Sequence, residues 1–592
     1  MMKLYLIYKI RKVLRERGFN GLLKLGFQKI KNKFKGKSTY QHWLSKNYLT
    51  PNDISTINEE INRLQLYPKF SIILPVYNVE AKWLERAIKS VLNQIYTNWE
   101  ICIADDASSK SHIKSILTKY SDIDPRIKVV FRDKNENISA ASNSALELAT
   151  GDYIALLDHD DEMSIDALFE NAKLINYHPD ADFIYSDEDK IDKKGKRCDP
   201  FFKPDWSPDY FHACMYTCHL GVYRTSLVRD ISGFRSEYDG SQDYDLVLRV
   251  IEKTNKIYHI PKILYHWRII PASVTSGEQA KPWAYIAAQK ALEDMIRRSP
   301  FQGYVEQADR AGFWRVKRNI VGKPLVSIII PSAGKMCKSD LSHLERCVKS
   351  IQVLSQYHNF EIVIVDGCDI NDGILNNISA ANIKLVRCVE PFNFSERINR
   401  GVDVAGGEFL LLLNDDTEVI TCEWIESMLE IAQQPEVGAV GAKLLFPNGE
   451  LQHTGVMILS GNPCHAFYNS EGEHPGYFCS NIVNRNYLAV TGACLMVRKA
   501  IFQEVGGMDE LFPLNYNDVD LCLKFHQAGY RNVFTPYAQL IHHESATRKG
   551  GIKPEELNRL HEKWDEYLKS LGGDPYYNPN LSTDSPKFEL SI

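Results

Sequence analysis

Two short apolar runs, FSIILPVYN at Phe70 to Asn78 and VSIIIPSAG at Val326 to Gly334, are rich in β-branched residues and close on proline. Unbroken apolarity over so few positions predicts strands buried on both faces. After the first run, Leu84, Ala87, Ile88, Val91 and Leu92 recur at helical spacing, the pattern of a helix with one apolar stripe. A second apolar run then ends in acid in both places, EICIADDAS reaching Asp105 and Asp106 and EIVIVDGCD reaching Asp366. A third unit repeats as well, NSALELATGDYIALLDHDD being mirrored by NRGVDVAGGEFLLLLNDD. Strand alternating with helix predicts a mostly parallel α/β sheet, whose ligands sit at the carboxyl ends of the strands. Further marks follow in one order, Asp243 then His266 and Asp518 then His542, with a longer stretch before Asp518. The pattern therefore predicts two tandem α/β domains, residues 65–277 and 324–575. A helical connector at 278–323 joins them, an extension occupies 1–64 and a tail 576–592.

Length agrees, since 592 residues exceed one ordinary core and suit two of roughly 200 to 250 residues. No apolar run reaches the ~18 residues needed to span a bilayer, and the start lacks the features of a secretory signal. The thirteen cysteines are scattered without framework spacing, which fits a reducing compartment. These features predict a cytoplasmic protein. The net charge of −5 conceals an asymmetry, because residues 1–50 hold thirteen Lys or Arg against the single acid Glu16. Within that segment Leu23, Phe27, Ile30 and Phe34 share a helical face while the lysines fall mostly on others. A basic amphipathic helix over residues 1–37 predicts peripheral attachment to an anionic membrane surface. No nucleic-acid-binding motif accompanies the charge, and nucleic acid is not an expected partner.

The acids carry the chemistry. A bare Asp-x-Asp is uninformative, since the chain has six: Asp122/Asp124, Asp158/Asp160, Asp180/Asp182, Asp187/Asp189, Asp243/Asp245 and Asp518/Asp520. Asp158 and Asp160 stand apart because they follow the strand-like YIALL, where a sheet presents groups to a ligand. Hard carboxylate oxygens there suit Mg²⁺ or Mn²⁺ held partly by ligand phosphates. In the second copy Asn414 replaces Asp158, whereas Asp416 keeps the place of Asp160, and Thr417 matches Asp161. Asp243 and Asp518 are the candidate general bases, with Asp245 and Asp520 expected to cap the helices that follow. His266 and His542, each ending an apolar run at a matched interval, are expected as further metal ligands. HACMYTCH, His212 to His219, lacks the distant second pair of a zinc site and is expected to be a strand.

At this point the chain resembles the nucleotide-sugar glycosyltransferases of family 2, with the GT-A fold, across roughly residues 65–575. VYN, CIADDAS, LLDHDDEM, YSDEDKID, FKPDWSPD, GSQDYDLVLRV and LYHWR look like the motifs of one such domain. PFNFSERINRGV, LLLNDD, GAKLLFPNGELQHTGV, TGACLMVRKAIF, NDVDLCLK and HHESATR look like those of a second. The resemblance implies two tandem Rossmann-like GT-A domains behind a basic helical extension, similar to transferases that build O-antigen, capsule or other surface glycans. It implies that Pro75, Tyr77, Asn78, Asp105, Asp106 and Asp158 bind the nucleotide sugar, with Pro331, Asp366 and Asn414 doing so in the second domain. It implies a divalent cation on Asp160 and His266, and on Asp416 and His542, and general bases in Asp243 and Asp518. Departures cluster in the second copy, where PSAGK replaces PVYNV, Gly367 stands at the place of Asp106, and His543 competes with His542.

The expected function is an inverting transferase, bifunctional, that moves sugars from nucleotide-diphosphate donors to hydroxyls of a growing lipid-linked glycan at the inner face of the cell membrane. An alternative keeps one domain catalytic and makes the other a glycan-binding module. Nucleotidyl or phosphoryl transfer is a third, and the chain lacks the Gly-rich phosphate loop of P-loop chemistry.

Overall fold

The computed structural model describes residues 39–270, 282–337, 341–378, 380–389, 391–543 and 554–591. The basic helix expected over residues 1–37 lies outside them. Two large sheets dominate. In the first, the strands run in the order Ile127–Phe131, Trp99–Asp105, Phe70–Val76, Tyr153–Leu156, Gly221–Arg224, Phe183–Ile191, Ile257–Arg268 and Glu162–Met163, with Arg197–Phe201 on the side. The second repeats that order with Ile383–Arg387, Phe360–Asp366, Val326–Ser332, Phe409–Leu413, Cys494–Arg498, Val437–Leu445, Arg531–His542 and Thr417–Val419. In both, the first four strands of that order are parallel and the fifth runs against them.

The repetition extends to side chains. Ser71 Oγ donates to buried Glu100 at 2.7 Å and accepts from Gly151 N; Ser327 Oγ donates to Glu361 at 2.7 Å and accepts from Gly407 N. A Cβ at Gly151 or Gly407 would press on the carbonyl of Lys69 or Leu325, so only glycine lets the fourth strand leave its helix beside the first. The register then places Val76 opposite Asp105 and Ser332 opposite Asp366, ending the paired strands level. Helices close both faces: Leu84, Ala87, Ile88 and Val91 of Ala81–Leu92 are buried as their spacing requires.

The connector holds helix Pro282–Arg298, packed in the first core through Ala291 and Leu292, and a hairpin of Gly303–Gln307 with Trp314–Arg318. From the hairpin, Arg315 reaches Glu430 of the second unit at 2.8 Å. The units also meet through Asp209, fully buried, whose carboxylate takes Nε of Arg531 at 2.7 Å and Nδ2 of Asn486 at 2.8 Å. Burial pushes this carboxyl up, but Arg531, Asn486 and His212 together outweigh it and hold it below the usual range. The final segment crosses back: Asn578 Nδ2 donates to Asp187 at 2.9 Å and to the Lys203 carbonyl at 2.9 Å.

Asp209→Ala would leave Arg531 buried near Arg318 without its carboxylate. It is expected to cost about 3 kcal/mol or more in urea unfolding, and adding Arg531→Met is expected to recover part of that loss.

Candidate functional site

In the first unit the site assembles where the parallel strands stop. Asp105, the last residue of its strand, is buried and accepts from Ser108 N at 3.3 Å. Asp106 is pinned by Arg132 Nε at 3.0 Å and Glu136 N at 3.1 Å. Pro75 offers its carbonyl to His159 Nδ1 at 3.1 Å, and Tyr77 is exposed at the rim. Asn78, with φ of 46°, uses its side-chain oxygen to hold the amides of Ser109 and Lys110 at 2.9 and 3.0 Å. Its carboxamide therefore shapes the loop that walls this crevice.

The LLDHDD turn is tied to the strand Ile257–Arg268. Arg268 Nε donates to the Asp160 carbonyl at 2.8 Å. Asp161 is fully buried and accepts from Tyr265 Oη at 2.8 Å and Arg268 N at 2.7 Å. Burial pushes the Asp161 carboxyl well up, and the charges of Asp160 and Asp158 add to that. Asp161 thus anchors the turn while Asp158 and Asp160 remain on its accessible side. His266 ends the apolar run as expected, and its Nδ1 lies 2.6 Å from buried Asp189. Burial raises Asp189, but His266 and Arg197 outweigh it and hold the carboxyl low.

Asp243 occupies the first turn of helix Gln242–Ile251 and accepts from Tyr244 N at 2.8 Å. Burial raises its carboxyl, with His219 opposing and Asp158 reinforcing the shift, so these groups share one electrostatic environment. His219 stacks on Tyr265 at 4.5 Å and brings Nε2 to 3.8 Å from Asp158. The segment that carries it is irregular, the strand beginning only at Gly221, against the expectation of a strand over His212 to His219. The cause is Lys203, fully buried, whose Nζ donates to the carbonyls of Ser186, Thr217 and His219 at 2.7, 2.7 and 2.6 Å and to Glu188 at 3.0 Å. The Thr217 and His219 carbonyls thus find their acceptor role at the ammonium and need no strand partner for it.

Asp245 is not a cap. Its carboxylate is fully buried between Arg235 and Arg249. Asp520 likewise takes Trp564 Nε1 at 2.8 Å and Lys563 Nζ at 2.7 Å. Both sit too deep in the first turn to reach the open amides, and cations from elsewhere in the fold claim them.

The second unit presents matching groups. Pro331 is in the buried strand Val326–Ser332, and Asp366 accepts from Asp369 N at 3.0 Å and Ile370 N at 3.2 Å. Asp518 is in the first turn of Asn517–Gln527 and accepts from Gly492 N at 2.8 Å. His542 Nε2 lies 3.1 Å from Asp416 Oδ1 and 3.2 Å from Asn414 Nδ2, whereas His543 turns to Glu418 and Arg346. Burial raises the Asp416 carboxyl, but His542 outweighs it and holds it low. Asp415, buried beside it, accepts from Ser332 Oγ at 2.6 Å.

The residues suit a divalent cation, although among the described residues no three His, Cys, Asp or Glu side chains converge as a preformed cage. His266 Nδ1 is anchored on Asp189, and His542 Nδ1 on Gln452 Oε1 at 2.6 Å. With Nδ1 so engaged, Nε2 is the ring nitrogen left for a proton or a metal. In the second unit Nε2 faces the Asp416 carboxylate, so a proton or a cation at that nitrogen completes the pair. Asp189, Gln452 and His219 were missed as site residues. Asp189 stands in the sequence as one of six Asp-x-Asp pairs and inside YSDEDKID, and Gln452 inside GAKLLFPNGELQHTGV, without a mark that singles out either residue.

Comparison with known proteins agrees with this duplicated geometry. The Glycosyl transferase family 2 profile matches residues 71–232 and again 327–506. The chain belongs to this family and carries its GT-A domain twice. An uncharacterised Sinorhizobium fredii protein, y4gI, is 43% identical over 90% of this chain and 60% of its own length. The O-antigen biosynthesis protein RfbC of Myxococcus xanthus is 35% identical over 90% of this chain and 42% of its own. A chondroitin synthase of Escherichia coli is 30% identical over 36% of this chain and 30% of its own. The chain thus spans less than two thirds of each of these relatives. No helix among the described residues is long and apolar enough to cross a membrane.

Burial pushes the Asp415 carboxyl up to about 6, against the Ser332 hydrogen bond and with help from the charge of Asp416. A folded pKa above the unfolded one stabilises fully below about pH 4, and that stabilisation is lost as pH rises through about 6. In metal-free protein held in EDTA, Asp415→Asn is expected to remove this fall, up to about 3 kcal/mol, in urea unfolding measured from pH 4 to 7.

Proposed function

We propose that the chain is a bifunctional, inverting, metal-dependent transferase whose domains, residues 65–277 and 324–575, each move a sugar from a nucleotide-diphosphate donor to a hydroxyl of a growing surface glycan. The observation that carries this reading is the recurrence, in both sheets, of one set of groups. It comprises a buried acid ending the second strand, an acid after the fourth with a histidine anchored through Nδ1, and an acid in the first turn of a later helix. RfbC, a relative named for O-antigen biosynthesis, supports the glycan class.

Asp160 with His266, and Asp416 with His542, would hold Mn²⁺ or Mg²⁺; when bound, the cation supplies positive charge beside the departing diphosphate. The chain's own groups do the rest. Pro75, Tyr77, Asp105, Asp106 and Asp158, and in the second unit Pro331, Asp366 and Asn414, line the crevice that takes the nucleotide sugar. Asn78 keeps its wall in place. Asp243 and Asp518 accept the proton of the attacking hydroxyl, which displaces the nucleoside diphosphate from the anomeric carbon in one step and inverts it. Burial, which raises the Asp243 carboxyl, strengthens it as a base. Residues 1–37 would hold the protein on the anionic inner face of the cell membrane, beside a lipid-linked acceptor.

Incubation with Mn²⁺, a panel of nucleotide sugars and acceptor glycan is expected to release nucleoside diphosphate. Asp243→Asn and Asp518→Asn are each expected to remove one linkage from the product and to slow that transfer about 10²- to 10⁴-fold. If one variant leaves every product unchanged, its domain is a glycan-binding module; release from no donor sinks the transferase reading.

A further inference from the structure

The two crevices differ in charge where the second strand ends. In the first, Asp105 is followed by Asp106, and the cation nearby, Arg132, is already paired with Asp106 and Glu136. In the second, Asp366 is followed by Gly367. The space beyond its Cα is taken by Arg397, so any side chain at 367 would collide with that guanidinium. Arg397 comes from helix Phe394–Val404 and is 3% exposed. It lies over the ring of Phe392 at 4.7 Å and makes a long 3.4 Å bond from Nη1 to the Ser332 carbonyl. Its Nε is buried with no hydrogen-bond partner. The Asp369 carboxylate borders the same space beside Gly367, and among the described residues no ion pair joins it to Arg397.

A buried guanidinium with an unmet N–H and no direct ion pair is costly, and natural proteins rarely leave one unless a ligand completes it. The location names the ligand. Arg397 touches the carboxyl ends of strands Val326–Ser332 and Phe360–Asp366. Asp416 follows the strand Phe409–Leu413, on the other side of Val326–Ser332. One to two strand spacings, roughly 5 to 10 Å, separate the two, which seats the diphosphate at Asp416 and the nucleoside at Arg397.

We propose that Arg397 is the base-reading group of the second donor pocket, giving charge-assisted hydrogen bonds to a carbonyl oxygen of the nucleobase. This rests on the transferase reading above. At that level the first pocket presents two carboxylates, Asp105 and Asp106, and the second presents one, Asp366, beside a donor. The second domain therefore takes donors whose base carries a carbonyl oxygen, a pyrimidine or guanine, and discriminates against adenine.

The test uses the full chain carrying Asp160→Ala, which disables the first site, and titrates UDP, CDP, GDP and ADP in the presence of Mn²⁺. At least one carbonyl-bearing nucleotide is expected to bind about tenfold or more tightly than ADP. Arg397→Met is expected to abolish that preference while leaving ADP affinity unchanged, with Arg397→Lys intermediate. In an Asp416→Ala chain, where only the first site binds, Arg397→Met is expected to change nothing. Retention of the base preference in Arg397→Met overturns the proposal, as does an equal loss for all four nucleotides with a lowered melting temperature, the mark of a purely structural arginine. If the Asp160→Ala chain binds none of the four, the second domain's transferase reading falls and this proposal with it.

Discussion

The first site depends on a cation that never meets solvent. Taking the Lys203 ammonium out of water costs several kcal/mol unless its hydrogens find acceptors, and the chain supplies them from the strand Phe183–Ile191 and from the segment before Gly221. Thr217 and His219 turn their carbonyls inward, Ser186 does so from the middle of its strand, and Glu188 adds the charge. The outcome is an irregular loop held as firmly as a strand. That loop carries His219 to the mouth of the crevice, opposite Asp158 and within reach of the field of Asp243.

The same logic governs the carboxylates. Several buried acids near the crevices meet a named donor, and the kind of donor separates them. Asp161, Asp245, Asp209 and Asp520 are matched to tyrosine, arginine, lysine or tryptophan donors and hold elements together. Asp158, facing only a histidine at 3.8 Å, is the contrasting case.

Much of this was legible before any coordinates. The doubled strand pattern gave the architecture because buried parallel strands leave little room for other residue types, and the glycines of GDYIALL and GEFLLLL recur for a reason the packing makes explicit. Strand ends were readable too, since an apolar run that stops in aspartate marks where a sheet meets solvent. What was not readable depended on distant partners. Asp245 has the spacing of a helix cap, but its arginines lie at 235 and 249. The choice between His542 and His543 needed the pleat of the last strand, which turns one inward and the other toward Glu418. Gly367 announced a difference from the first copy, and only packing revealed that an arginine fills the gap.

The return of Asn578 to Asp187 links the end of the described chain to the first unit across nearly four hundred residues. Domains made first generally fold first as the ribosome works, yet here the earlier unit keeps an unfilled place beside Lys203 while the whole later unit is still being made. The hydrogen bonds of Asn578 to Asp187 and to the Lys203 carbonyl therefore wait for the carboxyl-terminal segment to be made. Translation itself imposes that order on this one contact.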